Sequence, residues 1–150
     1  MLFITLLSLA AFASDAKMFP GSMCRRADTT SETWLDGSRI FNDSTSAVVM
    51  DCPVVRDNAA GITSSKIYVI DDSSASNVSC TLINVSMTSA STYYWSSTKS
   101  STGATGTHQT LSTGAPSSYA STGYLYFSCT VPAASSGHYS GVAGYYVNET

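Results

Sequence analysis

The chain has 150 residues, of which only 11% are charged, and its formal net charge is −3 at pH 7. Seven Lys and Arg residues do not supply the basic footprint that nucleic acid binding needs, and they form no basic patch for an anionic lipid surface. Ser and Thr occupy 46 positions, so hydroxyl groups rather than charges supply the polar surface. We therefore expect neither nucleic acid nor a membrane as partner of the mature protein.

The N-terminal segment 1–13 is typical of a secretory signal peptide. Its apolar run Leu2–Ala13 ends on Ala11-Phe12-Ala13, which puts small residues at the −3 and −1 positions of a cleavage site. The run is also too short to span a bilayer, which needs about 20 residues. No Lys or Arg precedes it, so a retained apolar segment that packs in the fold or anchors it is the alternative. Cleavage would leave residues 14–150 as a single secreted, extracellular domain.

Four cysteines predict two disulfides. No CxxC pair occurs and both histidines lie far from any cysteine in sequence, so we expect no metal site and no cofactor. Cys52, Cys80 and Cys129 each lie in a run with strand character, whereas Cys24 lies in the N-terminal segment. Of the three pairings that four cysteines allow, we predict Cys24–Cys52 and Cys80–Cys129. These bridges would tie down the N-terminal segment and join two core strands.

Short apolar runs that alternate with polar residues predict strands, and no window has a helical period. The predicted strands are 39–42, 47–55, 66–71, 77–87, 93–95, 107–111, 123–132 and 141–148. Pro53 confines the end of its strand to a sheet edge or a bulge. The Ser- and Thr-rich stretch 88–122 is interpreted as two strands with a loose loop rather than as a linker. Seven to nine short strands with frequent turn signals predict an all-β fold, an antiparallel β-sandwich of immunoglobulin-like or jelly-roll type, stapled by disulfides.

A series of short motifs covers nearly the whole mature chain. In chain order they are Cys24, Ile40-Phe41-Asn42, Cys52-Pro53-Val54-Val55-Arg56-Asp57, Tyr68-Val69-Ile70-Asp71, Cys80-Thr81-Leu82, Cys129-Thr130-Val131-Pro132 and Tyr146-Val147-Asn148-Glu149. In this order they resemble a group of small secreted proteins of myxobacteria and related bacteria, which is functionally uncharacterised. The resemblance implies secretion and a β-fold, and it carries over no catalytic residue.

The sequence contains no recognisable catalytic constellation, so we expect a protein that is not an enzyme. A serine hydrolase elbow needs Gly-x-Ser-x-Gly, and the nearest approach, Gly137-His138-Tyr139-Ser140-Gly141, has the wrong spacing. We therefore interpret His138 as a loop residue and His108 as a surface or strand residue. A small hydrolase would require Asp71, Asp72 and His138 to converge in one cleft.

The acidic residues have a simpler interpretation. Asp71-Asp72 ends a predicted strand, where Asp is a common turn former, and Asp51 and Asp57 are expected to be solvated positions that flank Pro53. Structural Ca²⁺ bound by such acids and backbone carbonyls is an alternative, although the chain has no EF-hand-like spacing of acids.

The aromatic residues suggest a ligand-binding surface, because nine Tyr and two Trp exceed what a core of this size needs. Tyr124 and Tyr126 alternate with the apolar face of their strand, so they should stand on the opposite face. Together with Tyr93 and Trp95 they are candidate glycan contacts, because sugar rings stack their C–H faces on aromatic rings. One of the adjacent pair 145–146 could join them. The simpler and favoured interpretation is that such tyrosines are half-buried, with the ring inward and the hydroxyl in water.

Four Asn-x-Ser/Thr sequons are candidate N-glycosylation sites. They begin at Asn42, Asn77, Asn84 and Asn148, and in a eukaryotic secretory pathway they would accept glycans on the surface. If the resemblance to bacterial proteins holds, the four sequons say little about glycosylation.

These observations lead to two main functional hypotheses. The first is a secreted, non-enzymatic structural or adhesive extracellular subunit that self-assembles through exposed strands such as Gly141–Asn148. The alternative is a carbohydrate-binding module that uses its surface Tyr and Trp. The expected partners are accordingly a second copy of the chain or surface glycans.

Overall fold

Twelve strands make up most of the described chain. The computed structural model describes residues 15–28, 33–57, 61–88, 91–120 and 122–150, so the predicted signal peptide lies outside the described residues. The strands are β1 Asp15–Pro20, β2 Arg25–Arg26, β3 Thr33–Asp36, β4 Arg39–Asn42, β5 Val48–Val54, β6 Ile62–Ile70, β7 Ser79–Ser86, β8 Thr92–Trp95, β9 Lys99–Ser100, β10 His108–Ser112, β11 Gly123–Val131 and β12 Gly141–Glu149. Within these ranges the one helical element is a 3₁₀ turn at Gly21–Met23, and no helix is long and apolar enough to cross a membrane.

The strands form two antiparallel sheets that pack face to face. Sheet A has the order β10-β6-β12-β4-β3, with β1 also paired to β12, and sheet B has the order β2-β5-β11-β7-β8, with β9 also paired to β7. Most connections cross between the sheets, whereas β3–β4 and β7–β8–β9 stay within one sheet, and β10-β6-β12-β4 faces β8-β7-β11-β5. Two such four-stranded sheets with crossing connections are the jelly roll. The predicted disulfide-stapled antiparallel β-sandwich is therefore confirmed, and the jelly-roll version describes its topology.

The core lies between the sheets and follows the alternation of the strands. In β11 the residues 125, 127, 129 and 131 are buried, while those between them face outward. Sheet A contributes Tyr145, which is fully buried, stacks on Phe19 with ring centroids 5.0 Å apart, and meets Phe127 of sheet B edge-on at 5.7 Å. These aromatic contacts join the inner faces of the two sheets.

The two disulfides have the predicted pairing, and three of their four cysteines lie in strands of sheet B. Cys24 is bonded to Cys52 in β5, and Cys80 in β7 is bonded to Cys129, its directly opposed residue in β11. On chain-entropy arithmetic the two loops contribute about 3.6 and about 4.1 kcal/mol, respectively, to the free energy of unfolding. Two disulfides are typical of a protein that folds in an oxidising compartment.

The last strand is central, which corrects one prediction. β12 pairs with β6 on one side and with β4 and β1 on the other. The predicted edge-to-edge association through Gly141–Asn148 is therefore wrong, because both edges of this strand are already hydrogen-bonded within the chain. Pro53, in contrast, lies where a proline is expected. Strand β2 pairs with β5 only as far as Asp51, so Pro53 is beyond the end of that pairing.

Strand β1 was not predicted, and an ion cluster accompanies its pairing with β12. The ammonium group of Lys17 lies 3.0 Å from a carboxylate oxygen of Glu149, 3.0 Å from Asp57 and 3.3 Å from Asp15. Glu149 is fully buried and also accepts a hydrogen bond from the backbone N–H of Asp57. The positive charge of Lys17 therefore offsets the charge of the buried Glu149 carboxylate, at the end of sheet A where β1 begins and β12 ends.

Candidate functional site: the outer face of sheet B

The strand register brings the four predicted glycan-contact residues together. On the outer face of sheet B, the β7 residue Val85 has Tyr93 on one side and Tyr124 on the other. Two residues along β7, a second row places Ile83 between Trp95 and Tyr126. We call these two lines of residues the aromatic rows.

The aromatic rows expose rings above a buried apolar layer. Ile83 and Val85 are only 8% and 1% exposed although they face away from the core, because the neighbouring aromatic side chains cover them. Three of the four rings are substantially exposed: Tyr93 by 43%, Trp95 by 56% and Tyr124 by 49%. The favoured interpretation of half-buried tyrosines describes Tyr126, and the other three aromatic residues present a surface to solvent.

The rings along each strand lie nearly parallel. Tyr93 and Trp95 have centroids 6.1 Å apart with planes at 17°, and Tyr124 and Tyr126 have centroids 5.9 Å apart with planes at 30°. The two pairs flank one strand, so they are separated by two strand spacings, or about 10 Å. The result is a broad aromatic surface.

The Tyr126 phenol remains protonated at neutral pH. Burial raises its pKa, and the nearby Asp51, Tyr124 and Tyr93 raise it further. A protonated phenol is both a donor and an acceptor of hydrogen bonds, and this one stands opposite Ile83 in the strand register.

The same strands continue from aromatic residues into hydroxyl residues. Opposite the β11 residue Ser128 stand Thr81 and Asp51, and the following row contains Ser79 and Thr130. Strand β9 and Thr98, the residue before it, add the outer members of these two rows. We call them the hydroxyl rows. Their hydroxyl-bearing members are Thr98, Thr81 and Ser128 in the first row and Ser100, Ser79 and Thr130 in the second.

The Asp51 carboxylate borders the first hydroxyl row and is less solvated than predicted. Burial raises its pKa, an effect that a hydrogen bond with Ser128 partly offsets. Its buried Oδ1 has no hydrogen-bond partner among the described residues. The expectation that Asp51 is a simple solvated position is wrong, because its carboxyl group is partly buried.

Neither residue of the pair 145–146 joins the aromatic rows. Tyr145 points into the core, and Tyr146 lies on sheet A, where Lys66 lies 5.9 Å from its ring centroid. Both are therefore excluded from the site by their position in the other sheet.

A second polar cluster involves residues considered for hydrolysis. Nδ1 of His138 lies 2.9 Å from Oδ2 of Asp72, and both line a cleft of about 290 Å³. The two-residue turn Ser136-Gly137, with φ values of 51° and 85°, presents the imidazole. Within the described ranges no hydroxyl hydrogen-bonds to the other ring nitrogen of His138.

Asp71 does not enter that cleft. It is fully buried, and its carboxylate accepts hydrogen bonds from the hydroxyls of Ser101 at 2.5 Å and Ser140 at 3.2 Å. The backbone N–H of Ser73 donates to the same carboxylate. Asp71 therefore anchors the loops after β6, and the three residues do not converge as a hydrolase would require. In the described ranges no group of three or more His, Cys, Asp or Glu could hold a metal ion.

Two of the four sequon asparagines are structural. Asn42 is fully buried and donates to the carbonyl oxygens of Ser46 at 2.8 Å and Pro132 at 2.7 Å. Asn84 is also buried and donates to the carbonyl of Ser118 at 3.1 Å. The prediction of surface glycan acceptors is wrong for these two, because a glycan on either amide nitrogen would displace core contacts. The other two sequons begin at an exposed residue, Asn77, and a partly exposed one, Asn148.

Comparisons with known proteins identify similar folds and no family. No family model and no curated protein matches the chain, so the resemblance to myxobacterial proteins stays a prediction. Among solved structures, a family two carbohydrate esterase from Cellvibrio japonicus is similar over 92% of this chain and 35% of its own, with a TM-score of 0.52 and 7% identity. A family 16 carbohydrate-binding module covers 83% of this chain and 86% of its own, with a TM-score of 0.45 and 8% identity. The first likeness supports the β-sandwich fold alone, and this chain spans about a third of that esterase.

Sequence reasoning identified the four aromatic residues and missed the surface that supports and extends them. Ile83 and Val85 were not recognised as outward-facing, although two apolar residues out of phase with Val78, Cys80 and Leu82 are the signal of a strand covered on both faces. The hydroxyl rows have no local signal of their own, because Ser and Thr occur throughout the chain.

Proposed function

We propose that the protein is a secreted, non-enzymatic carbohydrate-binding module whose ligand stacks on the aromatic rows of sheet B. The single observation that carries the proposal is the convergence of Tyr93, Trp95, Tyr124 and Tyr126 on one exposed sheet face. Rings of this kind offer apolar faces to sugar C–H groups, and the tyrosine hydroxyls offer hydrogen bonds at the rim.

The secreted and adhesive parts of the first hypothesis fit this proposal. Two disulfides support folding in an oxidising compartment. A module that binds polysaccharide attaches whatever carries it to a glycan-bearing surface, which is an adhesive function that requires no self-assembly.

Retention on insoluble polysaccharides tests the proposal. The wild-type protein is incubated with cellulose, chitin, xylan and mixed-linkage glucan, and the bound fraction is measured over a range of protein concentrations. We expect retention on at least one of them, with Trp95→Ala and Tyr124→Ala each lowering the affinity about tenfold through the lost stacking contacts.

A matched control separates the aromatic rows from exposed aromatic residues in general. Trp34 in β3 of sheet A is 48% exposed and stacks on Phe41 at 5.3 Å, so Trp34→Ala removes a comparable ring from the other sheet. This variant should bind as the wild type does. No retention on any polysaccharide, or equal losses in all three variants, would contradict the proposed function.

A further inference from the structure

We propose that the hydroxyl rows are the second half of the same binding site, and that its ligand is a neutral polysaccharide chain lying along strands β7 and β11 across all four rows. This inference rests on the proposed function and names the class of its ligand.

The change to hydroxyl residues occurs at the same level in three neighbouring strand segments, after aromatic residues in β11 and β8 and after Val85 and Ile83 in β7. Strand β11 presents Tyr124 and Tyr126 and then Ser128 and Thr130 on its outer face, and the β8–β9 segment changes from Trp95 to hydroxyl residues at the same level. The rows are therefore continuous in both directions of the sheet. A ligand that runs along the strands meets stacking surfaces first and hydrogen-bonding groups next.

The paired hydroxyls of these rows keep unused hydrogen-bonding capacity. Oγ1 of Thr81 lies 2.7 Å from Oγ1 of Thr98, and Oγ of Ser79 lies 2.7 Å from Oγ of Ser100. Each hydroxyl has one donor and two acceptor positions, so a pair that shares one hydrogen bond retains a donor and several acceptors. Sugar hydroxyls need both, and a row of such pairs supplies both at regular spacing.

The charge of the face favours a neutral ligand. The four rows contain no Lys or Arg. The Asp51 carboxylate borders the first hydroxyl row, and Arg25 of β2 stands opposite Asp51 in the strand register. The two charges balance each other, so no surplus of positive charge is present to hold a polyuronate or a sulfated glycan.

The dimensions of the face require a chain longer than a disaccharide. Outward-facing residues along a strand are two residues apart, so four rows extend about 20 Å from the first to the last. A monosaccharide or disaccharide would reach only part of this distance, and an oligosaccharide would engage both halves.

Calorimetric titration with oligosaccharides of increasing length tests the inference. The probes are cello-, xylo- and chito-oligosaccharides from disaccharide to hexasaccharide. We expect the affinity of the wild type to rise with length for the series whose polymer is retained. The double variant Thr81→Val/Thr98→Val, which keeps β-branched shapes suited to a strand, should lose about tenfold for the hexasaccharide and nothing for the disaccharide.

The control is Thr110→Val, which removes an exposed hydroxyl from β10 of sheet A and should leave all affinities unchanged. Urea unfolding of each variant verifies the fold. Full affinity already at the disaccharide, wild-type binding by the double variant, or preferential retention of an anionic polysaccharide would overturn the inference while aromatic-dependent binding kept the proposed function intact. Absence of all sugar binding by the wild type would overturn both.

Discussion

The phenol of Tyr145 in sheet A donates a 2.6 Å hydrogen bond to the carbonyl oxygen of Pro53 in sheet B. Pro53 stands opposite Tyr126 in the register of β5 and β11, so the bond joins the core of one sheet to the strand that borders the aromatic rows of the other. It is a polar link between two sheets whose remaining contacts in the core are largely apolar.

Replacing this phenol tests its contribution to stability. Tyr145→Phe keeps the ring that packs on Phe19 and Phe127 and removes the hydroxyl, so the free energy of unfolding should fall by about 1 kcal/mol. Urea denaturation at neutral pH measures the change. Tyr146→Phe, on the outer face of sheet A, is the control and should stay within about 0.5 kcal/mol of the wild type. Equal effects of the two substitutions would contradict a role for the inter-sheet bond.

Stability should decrease at alkaline pH. Burial raises the pKa of Tyr145 to about 12, against about 10 in an unfolded chain. Because the folded state holds this proton more tightly, the contribution is complete below pH 10 and is lost as the pH rises towards 12. Burial lowers the pKa of Lys17, but its bonds with Glu149, Asp57 and Asp15 outweigh that effect and leave the pKa raised, which gives the same sign.

A pH series separates these two groups. The free energy of unfolding is measured from about pH 8 to about pH 12, the interval in which the unfolded chain loses both protons. The wild type should lose stability above pH 10, and Tyr145→Phe should lose less over the same interval because its phenol is absent. A flat profile for the wild type would be inconsistent with either raised pKa.

The ion cluster beside β1 predicts a large effect of a single substitution. Lys17→Met leaves the fully buried Glu149 carboxylate without its cation, next to Asp15 and Asp57, and should cost about 3 kcal/mol of stability. The double variant Lys17→Met/Glu149→Gln, which also removes the buried charge, should recover part of that loss. Thermal unfolding of the wild type, Lys17→Met, Glu149→Gln and the double variant measures the coupling between the two side chains. Additive single effects would show that the two side chains act independently.

Neutralising Asp51 should stabilise the protein. Burial raises its pKa in the folded state, so the ionised form is disfavoured by folding at neutral pH and this cost disappears as the pH falls through the folded and then the unfolded value. Asp51→Asn should therefore raise the midpoint of thermal unfolding at pH 7 and lose this advantage in acid. Asp43→Asn, at an exposed position after β4, should change little at either pH. A lower midpoint for Asp51→Asn would contradict the predicted sign.

The sandwich and its disulfides were predictable because their signals are local. The alternation in β11 separates its buried face from its exposed face without knowledge of any partner strand. Cys80 and Cys129 lie within such runs on the apolar face, so a bridge between two core strands follows from the pattern. The outward position of Tyr124 and Tyr126 is the same inference applied to the other face.

The order of the strands was not predictable, because partners far apart in sequence determine it. The composition of β12 does not distinguish a central strand from one at a sheet edge. Its central position depends on β6, β4 and β1. Strand β1 has a short, mixed sequence whose pairing depends on β12 and on the Lys17 cluster. The burial of the Asn42 side chain was likewise not predictable, because one of its carbonyl partners, Pro132, lies 90 residues further along the chain.

The pairing of β1 with β12 also determines how the molecule can be attached to a support. Asp15 stands directly opposite Glu149, so the two outermost ends of the described chain are neighbours in sheet A, whereas the aromatic rows occupy the outer side of sheet B. A biotin tag or a fused fluorescent protein joined at Asp15 or at Glu149 would therefore leave the chain from the same corner. Surface immobilisation through that corner keeps the aromatic side open to soluble analytes.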